Sequence, residues 1–410
     1  MSLQLENCMT ISNVSKVILW YIEDKYIVWE KNPYLFCFKN KVFNLKENKF
    51  IEPDKNDYMF MTCGYDYEEP TEEEIKILDE LLKKIFPHED ERIFYLTVLS
   101  TCLSAIIIEK LIIANGCGGN GKGLINELCL ELLGNDYGYI APNAILLNPI
   151  KVGNCPELAN MNYKRGCFYR EPQGSLDSSS IKEITGGDKI NARLNNSNDT
   201  TCNLRATHIC ECNEKPSIVG RIDNSIIRRI VDIYFRSLFV NEDELKNNTS
   251  KYIYKKDLQL KTIGFKIKYR CALFKILTSY FKIFVTKEEN IDNFICESVK
   301  KRTNDYLETV DEMKNWIYEN YKDSKNDNDI IQIKDMYNNF KLSDYWDKLS
   351  KIEQRKLTIT NFTEKISSNV YLRKKYKEIE RRKNIIDKYN IDNKDTKLKI
   401  RNILTGLKKI

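Results

Sequence analysis

The sequence has few glycines and prolines, and it lacks any long apolar run. Its 410 residues include 16 Gly and 9 Pro, while hydrophobic residues make up 42% and charged residues 30% of the chain. A disordered segment would be poorer in hydrophobic residues, so the composition predicts a soluble globular protein with a sizeable core. At this length we expect two to four domains.

Cysteine pairs at metal-binding spacing are also missing, although the chain holds 13 cysteines. No two of them are spaced as Cys-x-x-Cys, and a zinc ribbon needs paired ligands at turn spacing, so we expect no zinc. The closest pair, Cys210 and Cys212, is interpreted as two inward positions of a buried strand. The cysteines are therefore expected to be reduced, as in an intracellular protein.

No membrane or secretory signal is recognised. Residues 1–10 contain neither a basic region nor an apolar run, so a signal peptide is not expected. The longest apolar stretch, residues 103–114, is interrupted by Glu109 and Lys110 and is too short to cross a bilayer. We therefore expect an intracellular protein without membrane contact.

Charge is distributed unevenly along the chain. The last sixty residues carry 18 Lys and Arg against 7 Asp and Glu, whereas the first hundred carry 12 basic and 19 acidic residues. A basic end indicates a polyanionic partner. Arg373–Lys375 and Arg381–Lys383, with Tyr371 and Tyr376 nearby, favour DNA binding there; the alternative is a solvated helix.

Local patterns predict a short hairpin followed by helices and then by alternating strands and helices. Residues 34–38 and 41–45 indicate the hairpin. Thr71 and Glu74 form a capping-box pattern at the start of a helix that Pro87 ends, and a second helix is predicted over residues 90–107. Further on, the pattern predicts strands at 110–114, 166–169, 207–212 and 230–235, helices at 122–133 and 258–285, and a polar linker at 241–257. This alternation argues for an α/β fold with a mainly parallel sheet.

A glycine-rich segment is the strongest local signal. It has the spacing Gly-x4-Gly-Lys of a phosphate-binding loop, between a predicted buried strand and a predicted helix. Glycine turns backbone N–H groups towards a phosphate, and the helix N-terminus adds its dipole. We therefore predict ATP binding, with an incidental glycine turn as the alternative; the candidate residues are Gly116, Gly118, Gly119, Asn120, Gly121, Lys122 and Gly123.

One position departs from this pattern. Ser or Thr usually follows the lysine, because its hydroxyl binds the Mg²⁺ that accompanies ATP. Gly123 stands there instead. Either another group or water completes the metal shell, or hydrolysis is weakened.

Together with Asn120-Gly121-Lys122, four later segments resemble superfamily 3 helicases, in particular the helicase part of poxvirus-type and large DNA virus primase-helicases. The order and combination of motifs are more specific than any one of them. The segments are an apolar strand ending in acid at 166–172, a Lys…Thr-Gly-Gly-Asp…Arg motif at 182–193, a sensor strand ending in Asn at 210–216, and an arginine-finger region at 223–235.

The resemblance implies a role for each motif. Glu171 would hold Mg²⁺ through water and polarise the attacking water, and Asn213 would contact that water or the γ-phosphate. Arg228 or Arg229 would reach the nucleotide of a neighbouring subunit, which implies a ring, usually a homohexamer. The alternative for Glu171 is a surface acid at a strand end, and the alternative for Asn213 is a turn residue. For Arg228 and Arg229 it is a salt-bridged pair on the surface.

DNA contact is expected in a hairpin before the sensor strand. Residues 195–199 are the predicted tip, and Lys189, Arg193 and Arg205 are the predicted ligands of single-stranded or forked DNA, since binding to the phosphate backbone requires cations. Ion pairing within the domain is the alternative. The primase domain that often precedes such motors has no counterpart in the sequence, so a primase supplied by another chain is left open as a partner.

The resemblance implies an AAA+-like P-loop ATPase core at 86–240. A small α/β domain at 1–85 would precede it, and a helical extension at 241–298 and a basic, winged-helix-like helical domain at 299–410 would follow. The expected function is ATP-dependent unwinding of duplex DNA at a viral replication site in the host cell. Two rivals stay open: a nucleotide-binding remnant deficient in hydrolysis, and an ATPase that loads or packages DNA without processive unwinding.

Overall fold

A computed structural model gives the structure of the protein. It describes residues 27–150, 153–193, 200–220, 222–246, 251–310, 312–324, 326, 329–347, 351–368, 375–378 and 402–409. Among these residues, no helix has the length and apolar character needed to cross a membrane.

The described part of the chain opens with a small antiparallel sheet. Strands β1 (Leu35–Cys37) and β2 (Val42–Asn44) form the predicted hairpin, with Leu35 opposite Asn44. The sequence did not predict the third strand, β3 (Lys49–Ile51), which pairs with β2 and is followed by a 3-10 turn at Lys55–Asp57. The buried ring of Phe36 is held between the rings of Tyr137 and Phe274, at 5.0 and 5.3 Å, so this sheet packs directly on later helices.

Helices α1 (Glu72–Ile85) and α2 (Glu89–Thr101) follow. The predicted capping box is confirmed, because Thr71 Oγ1 accepts from the Glu74 N–H and Glu74 Oε2 accepts from the Thr71 N–H. Helix α2 ends six residues before the predicted end at residue 107. At that end the hydroxyl groups of Thr101 and Ser104 donate to nearby main-chain carbonyls, a local pattern that competes with helix continuation.

A five-stranded parallel sheet forms the centre of the molecule. In spatial order its strands are β13 (Ile230–Tyr234), β4 (Leu111–Asn115), β11 (Thr207–Cys212), β7 (Gly166–Arg170) and β5 (Gly138–Ile140). Every residue of β4 and β11 is buried, as expected for a sheet covered on both faces, and the buried positions include Cys210 and Cys212. The predicted α/β class with a parallel sheet is confirmed.

Helix α3 (Lys122–Tyr137) connects β4 to β5 across one face of the sheet. Its helical geometry is broken at Gly134, which has φ of +62° and is the residue predicted to close the helix. The other short elements around the sheet are α4 (Ala144–Leu147), β6 (Gly153–Asn154), α5 (Pro156–Ala159), β8 (Leu176–Asp177), α6 (Ser178–Thr185), β9 (Lys189–Arg193), β10 (Thr200–Asn203), β12 (Ile218–Val219) and α7 (Asn224–Ile227).

The segment predicted as a polar linker has regular structure in its described part. Strands β14 (Leu238–Val240) and β15 (Ile253–Lys255) pair in parallel, and α8 (Glu242–Lys246) lies between them in the chain. A 3-10 turn at Gln259–Lys261 leads into helix α9 (Ile263–Thr286), which starts later than predicted because Thr262 caps it. Helix α9 packs in the same hydrophobic core as α1, α2 and α3, so it is part of the body around the sheet.

After a 3-10 turn at Ile291–Phe294, helix α10 (Glu297–Val310) packs against β13. The Asp232 N–H donates to Thr303 Oγ1 at 2.9 Å, and the Tyr306 hydroxyl donates to the Pro216 carbonyl. The start of the segment that the sequence assigns to a separate C-terminal domain therefore lies on the central sheet.

The last part of the chain has its own buried cluster, which includes Trp316, Phe340, Phe362 and Leu404. It is less purely helical than predicted: β16 (Tyr321–Asp323) pairs with β20 (Leu407–Lys409), and β17 (Ile330–Gln332), β19 (Asn402–Thr405) and β18 (Tyr376–Glu378) form an antiparallel sheet. The elements are α11 (Glu312–Asn320), β16 (Tyr321–Asp323), β17 (Ile330–Gln332), α12 (Ile333–Phe340), α13 (Asp344–Asp347), α14 (Lys351–Lys356), α15 (Ile359–Ser368), β18 (Tyr376–Glu378), β19 (Asn402–Thr405) and β20 (Leu407–Lys409).

The predicted DNA-binding tail is described only in part. Arg381–Lys383, Arg373, Lys374 and Tyr371 lie outside the described residues. Lys375 is described, and its ammonium pairs with Asp323 at 2.9 Å. DNA binding by the tail therefore stays a prediction.

Candidate nucleotide site

The glycine-rich segment forms a loop between the carboxyl end of β4 and the start of α3. Gly116 and Gly121 have φ of +142° and +88°. A Cβ at Gly116 would lie 2.7 Å from the Phe235 carbonyl oxygen, and one at Gly121 would lie 2.7 Å from Ile85, so close packing as well as conformation requires glycine at both positions. The Phe239 N–H holds the loop by donating to the Gly119 carbonyl at 2.7 Å.

Lys122 places its ammonium at the carboxyl ends of the central strands. Nζ donates to the Cys212 carbonyl at 2.6 Å, to Asn213 Oδ1 at 3.1 Å and to the Gly116 carbonyl at 3.3 Å. It also lies 3.6 Å from Glu171 Oε1. The structure therefore brings together Lys122, Glu171 and Asn213, which are far apart in the sequence.

Glu171 follows β7 in an unusual backbone conformation, with φ of +43°. Its N–H donates to the Glu211 carbonyl at 2.8 Å, and its Oε2 accepts from the Asn213 N–H at 2.9 Å. A positive φ costs on the order of 1 kcal/mol for a residue with a side chain. At Glu171 this backbone conformation accompanies a side-chain carboxylate that lies close to the Lys122 ammonium.

These residues line a cavity of about 480 Å³. Phe239, Lys256 and Lys261 also line it. A larger surface cavity of about 980 Å³ opens beside Tyr65 and Gly134, but no residue of the 116–123 loop lines it. We assign the candidate site to the smaller cavity, because it contains the loop and both polar strand ends.

Two buried polar groups line this cavity; the sequence interpretation predicted Asn120 as a nucleotide ligand but missed Glu211. Asn120 keeps its Nδ2 buried with no acceptor among the described residues, which suits an anionic ligand. Glu211 lies in β11, buried and next to Gly123. The available signal was a single acid in an apolar strand two residues before Asn213, but that strand was interpreted only through its cysteines and the asparagine that follows it.

The two candidate arginine fingers differ in exposure. Arg229 is buried, donates from Nε to Thr185 Oγ1 at 3.0 Å and from Nη1 to the Ser225 carbonyl at 2.9 Å, and burial lowers its pKa. The Arg228 side chain is 56% exposed and pairs with Glu109. These contacts favour Arg228 as the residue that could reach another molecule.

Both arginines precede β13, whereas the loop lies at the carboxyl ends of the same parallel strands. A five-residue strand spans about 16 Å, so neither residue is placed to reach the loop of its own chain. A role in hydrolysis would require a neighbouring subunit.

The Lys…Thr-Gly-Gly-Asp motif connects to the arginine region. Lys182 Nζ pairs with Asp223 Oδ2 at 2.9 Å, and Thr185 contacts Arg229. Asp223 caps α7, since its Oδ1 accepts from the N–H groups of Ser225 and Ile226. Burial alone would raise the pKa of Asp223, but hydrogen bonds from Ser225 and Lys182 lower it to about 2.

The predicted hairpin is formed by the antiparallel pair β9 and β10, with Lys189 exposed at its base, and its contact with DNA stays a prediction. The predicted tip and the Arg193 side chain lie outside what the structure describes. Arg205 lies beyond β10, donates to the Glu30 carbonyl at 2.7 Å and stands over the Tyr163 ring. This internal contact favours a structural role for Arg205 over the predicted DNA contact.

The chain is similar in sequence to proteins of large DNA viruses. Residues 6–87 match the family described as D5 N terminal like. The chain is 30% identical over 310 residues to "Putative helicase L207/L206" of Acanthamoeba polyphaga mimivirus, covering 70% of this chain and 32% of that protein. It is 30% identical over 269 residues to "Primase D5" of Fowlpox virus, covering 60% and 32%.

The chain thus spans about a third of the length of the curated relatives it matches. Among solved structures, the apo A form of the NrS-1 C terminal region gives a TM-score of 0.45 at 15% identity, covering 97% of this chain and 90% of that one. The relatives and the matched domain confirm the resemblance to poxvirus-type primase-helicases that the motifs indicated.

Proposed function

We propose that this chain is the ATP-driven motor of a DNA helicase that acts in viral genome replication. The observation that carries the proposal is the convergence of Lys122, Glu171 and Asn213 at the loop between β4 and α3. The sheet order and this loop support an AAA+-like P-loop core. The names of the viral relatives, one a helicase and one a primase, support a role in replication.

The chemistry follows from the positions of these groups. Phosphoryl transfer needs positioning and charge neutralisation more than covalent chemistry. Lys122 would exchange its carbonyl contacts for β- and γ-phosphate oxygens, and the N–H groups of the loop and of the start of α3 would face the same anion. Glu171 would orient and polarise the attacking water, with Asn213 as a second contact. Mg²⁺ bound with ATP would neutralise phosphate charge, and Glu171 is placed to hold it through water.

A ring fits the position of Arg228. Its side chain is exposed and lies at the amino ends of the central strands, whereas the loop lies at their carboxyl ends. It would therefore complete the nucleotide site of a neighbouring copy. We propose a homohexamer on this ground, with the β9–β10 hairpin and Lys189 facing single-stranded or forked DNA. A primase activity would come from another chain or from a part of a longer protein.

The test is ATP hydrolysis by the purified full chain with Mg²⁺, with and without single-stranded DNA. Lys122→Ala is expected to lower DNA-stimulated turnover at least about 100-fold, since it removes a preorganised positive charge from the transition state. Lys83→Ala, an exposed lysine paired with Asp79, is the matched control and should keep full turnover. Strand displacement on a forked duplex then separates a helicase from an ATPase that only loads or packages DNA.

A second candidate is a nucleotide-binding subunit that does not hydrolyse ATP, and Gly123 is the observation that favours it. In that case the wild type binds ATP but turns over no faster than Lys122→Ala. This result, obtained in every oligomeric state and with every DNA substrate, would exclude the motor.

A further inference from the structure

A carboxylate lies beside the one position where the phosphate loop departs from its usual pattern. Gly123 stands where a hydroxyl side chain would normally bind Mg²⁺. A Cβ built at Gly123 would lie 3.8 Å from Glu211 Oε2. An oxygen atom from the neighbouring strand β11 is therefore adjacent to the place of the missing hydroxyl.

Within the described part of the chain, the buried carboxylate of Glu211 lacks a hydrogen-bond donor at one of its two oxygens. Its side chain is only 6% exposed, and Oε1 is buried without an aligned hydrogen-bond donor among the described residues. Burial raises the pKa of Glu211, while the Asn126 amide and the charges of Arg170 and Lys122 act in the opposite direction. A buried carboxylate oxygen without a hydrogen-bond partner is costly, so Oε1 is available to a cation that binds in the cavity.

The nearby cations are committed to other partners. Lys122 Nζ donates to the Cys212 carbonyl, Asn213 Oδ1 and the Gly116 carbonyl. The Arg170 guanidinium lies 3.7 Å from Glu127. Within the part of the chain that the structure describes, no ion pair includes Glu211.

Glu171 is a second acid at the carboxyl ends of the central strands. The Glu171 N–H donates to the Glu211 carbonyl at 2.8 Å, and both side chains line the cavity that contains the loop. Mg²⁺ in nucleotide sites is usually held by one or two carboxylates together with phosphate oxygens and water. Glu171 and Glu211 supply two carboxylates of that kind in this cavity.

We propose that Glu211 takes over the role of the missing loop hydroxyl and is an oxygen ligand, direct or through water, of the Mg²⁺ that accompanies ATP. The inference rests on the proposed nucleotide site and deepens it. It explains how the loop tolerates Gly123, because a β11 carboxylate supplies the ligand that the loop lacks.

The test compares nucleotide binding with and without the metal. Fluorescent ATP is titrated into the full chain in Mg²⁺ and in EDTA, and Mn²⁺ binding in the presence of ADP is followed by electron paramagnetic resonance. Glu211→Gln is expected to leave the affinity in EDTA unchanged and to lower Mn²⁺ affinity 10-fold or more, the usual effect of losing a group that supports a metal site. Glu211→Gln replaces a poorly partnered buried charge with a neutral isostere, and thermal unfolding checks its fold.

Two further variants make the result specific. Glu127→Gln removes an acid of the same cavity that already pairs with Lys266 at 2.6 Å, and it should leave Mn²⁺ affinity within 2-fold of wild type. Adding Gly123→Ser to Glu211→Gln should restore much of the metal dependence, because the hydroxyl returns to the loop.

The outcomes separate this inference from the proposed function. Unchanged Mn²⁺ affinity in Glu211→Gln, or an equal loss in Glu127→Gln, overturns the role of Glu211 while metal-dependent ATP binding by the wild type still supports the site. A wild type that binds ATP in neither condition overturns both. A selective loss that Gly123→Ser rescues supports the inference.

Discussion

Replacing Glu91 with glutamine is expected to destabilise the protein by about 2 kcal/mol at neutral pH. Glu91 lies on α2 and is 2% exposed. Its carboxylate accepts from Arg236 Nη2 at 2.8 Å, from Ser298 Oγ at 2.7 Å and from the Arg302 guanidinium. It therefore joins α2, α10 and the segment after β13 through one buried charge.

The magnitude follows from the pKa. Burial alone would raise the pKa of Glu91, but the hydrogen bonds from Arg236, Ser298 and Arg302 lower it to about 2 from the ordinary 4.5. That difference corresponds to about 3 kcal/mol. The two guanidinium groups are partly exposed, and solvent screening reduces the effect to about 2 kcal/mol.

The sign of the pH dependence is set by the lowered pKa. The stability that Glu91 contributes is fully present above about pH 4.5 and is lost as pH falls through 2. Urea unfolding of wild type and Glu91→Gln should therefore show a difference that shrinks at pH 3 to about 40% of its value at pH 7.

The control is Glu47→Gln, an exposed acid paired with Lys49, whose stability should change by less than about 0.5 kcal/mol. A Glu91→Gln protein as stable as wild type at pH 7 would refute this reasoning. So would a stability difference that does not depend on pH between 7 and 3.

Three more outcomes are expected. Gly134→Ala should lower the free energy of unfolding by about 2 kcal/mol or more, because φ is +62° and the added Cβ would meet the Cys63 carbonyl; an unchanged urea midpoint would contradict this. Arg229→Ala should destabilise the fold by about 2 kcal/mol in urea unfolding. Arg228→Ala should leave stability unchanged and lower ATP turnover of the assembled oligomer about 100-fold or more. The reverse pattern in the two assays would assign the arginine finger to Arg229. Cys117 is exposed in the loop, so ATP should slow its alkylation by a maleimide, and equal labelling rates would argue against nucleotide binding there.

Features encoded in neighbouring residues were predictable from the sequence. The capping box at Thr71 is an example, because its two hydrogen bonds join residues only three apart. Strand β11 was placed with its observed bounds, since a six-residue run of buried positions has a simple pattern. The glycine-rich loop was placed between β4 and α3 for the same reason, because its glycines and Lys122 lie within a few residues of each other.

Features that depend on distant partners were predicted less well. Helix α2 ends at Thr101, whose hydroxyl contacts the hydroxyl of Thr207 on β11, a partner that the continuing apolar pattern does not reveal. Residues 241–257 look polar in sequence, yet β14 and β15 at the borders of that segment pair with each other. A long-range pairing leaves little trace in the composition of a short segment.

The candidate site shows the same division. The sequence by itself determined the loop, the acid at the end of β7 and the asparagine after β11, because each is a local motif in a recognisable order. Only the tertiary structure decided that Glu211 lies beside Gly123 and that Arg229 is buried against Thr185 while Arg228 is exposed. Alternation along a strand shows which residues share a face, but only packing between strands and helices decides what that face meets.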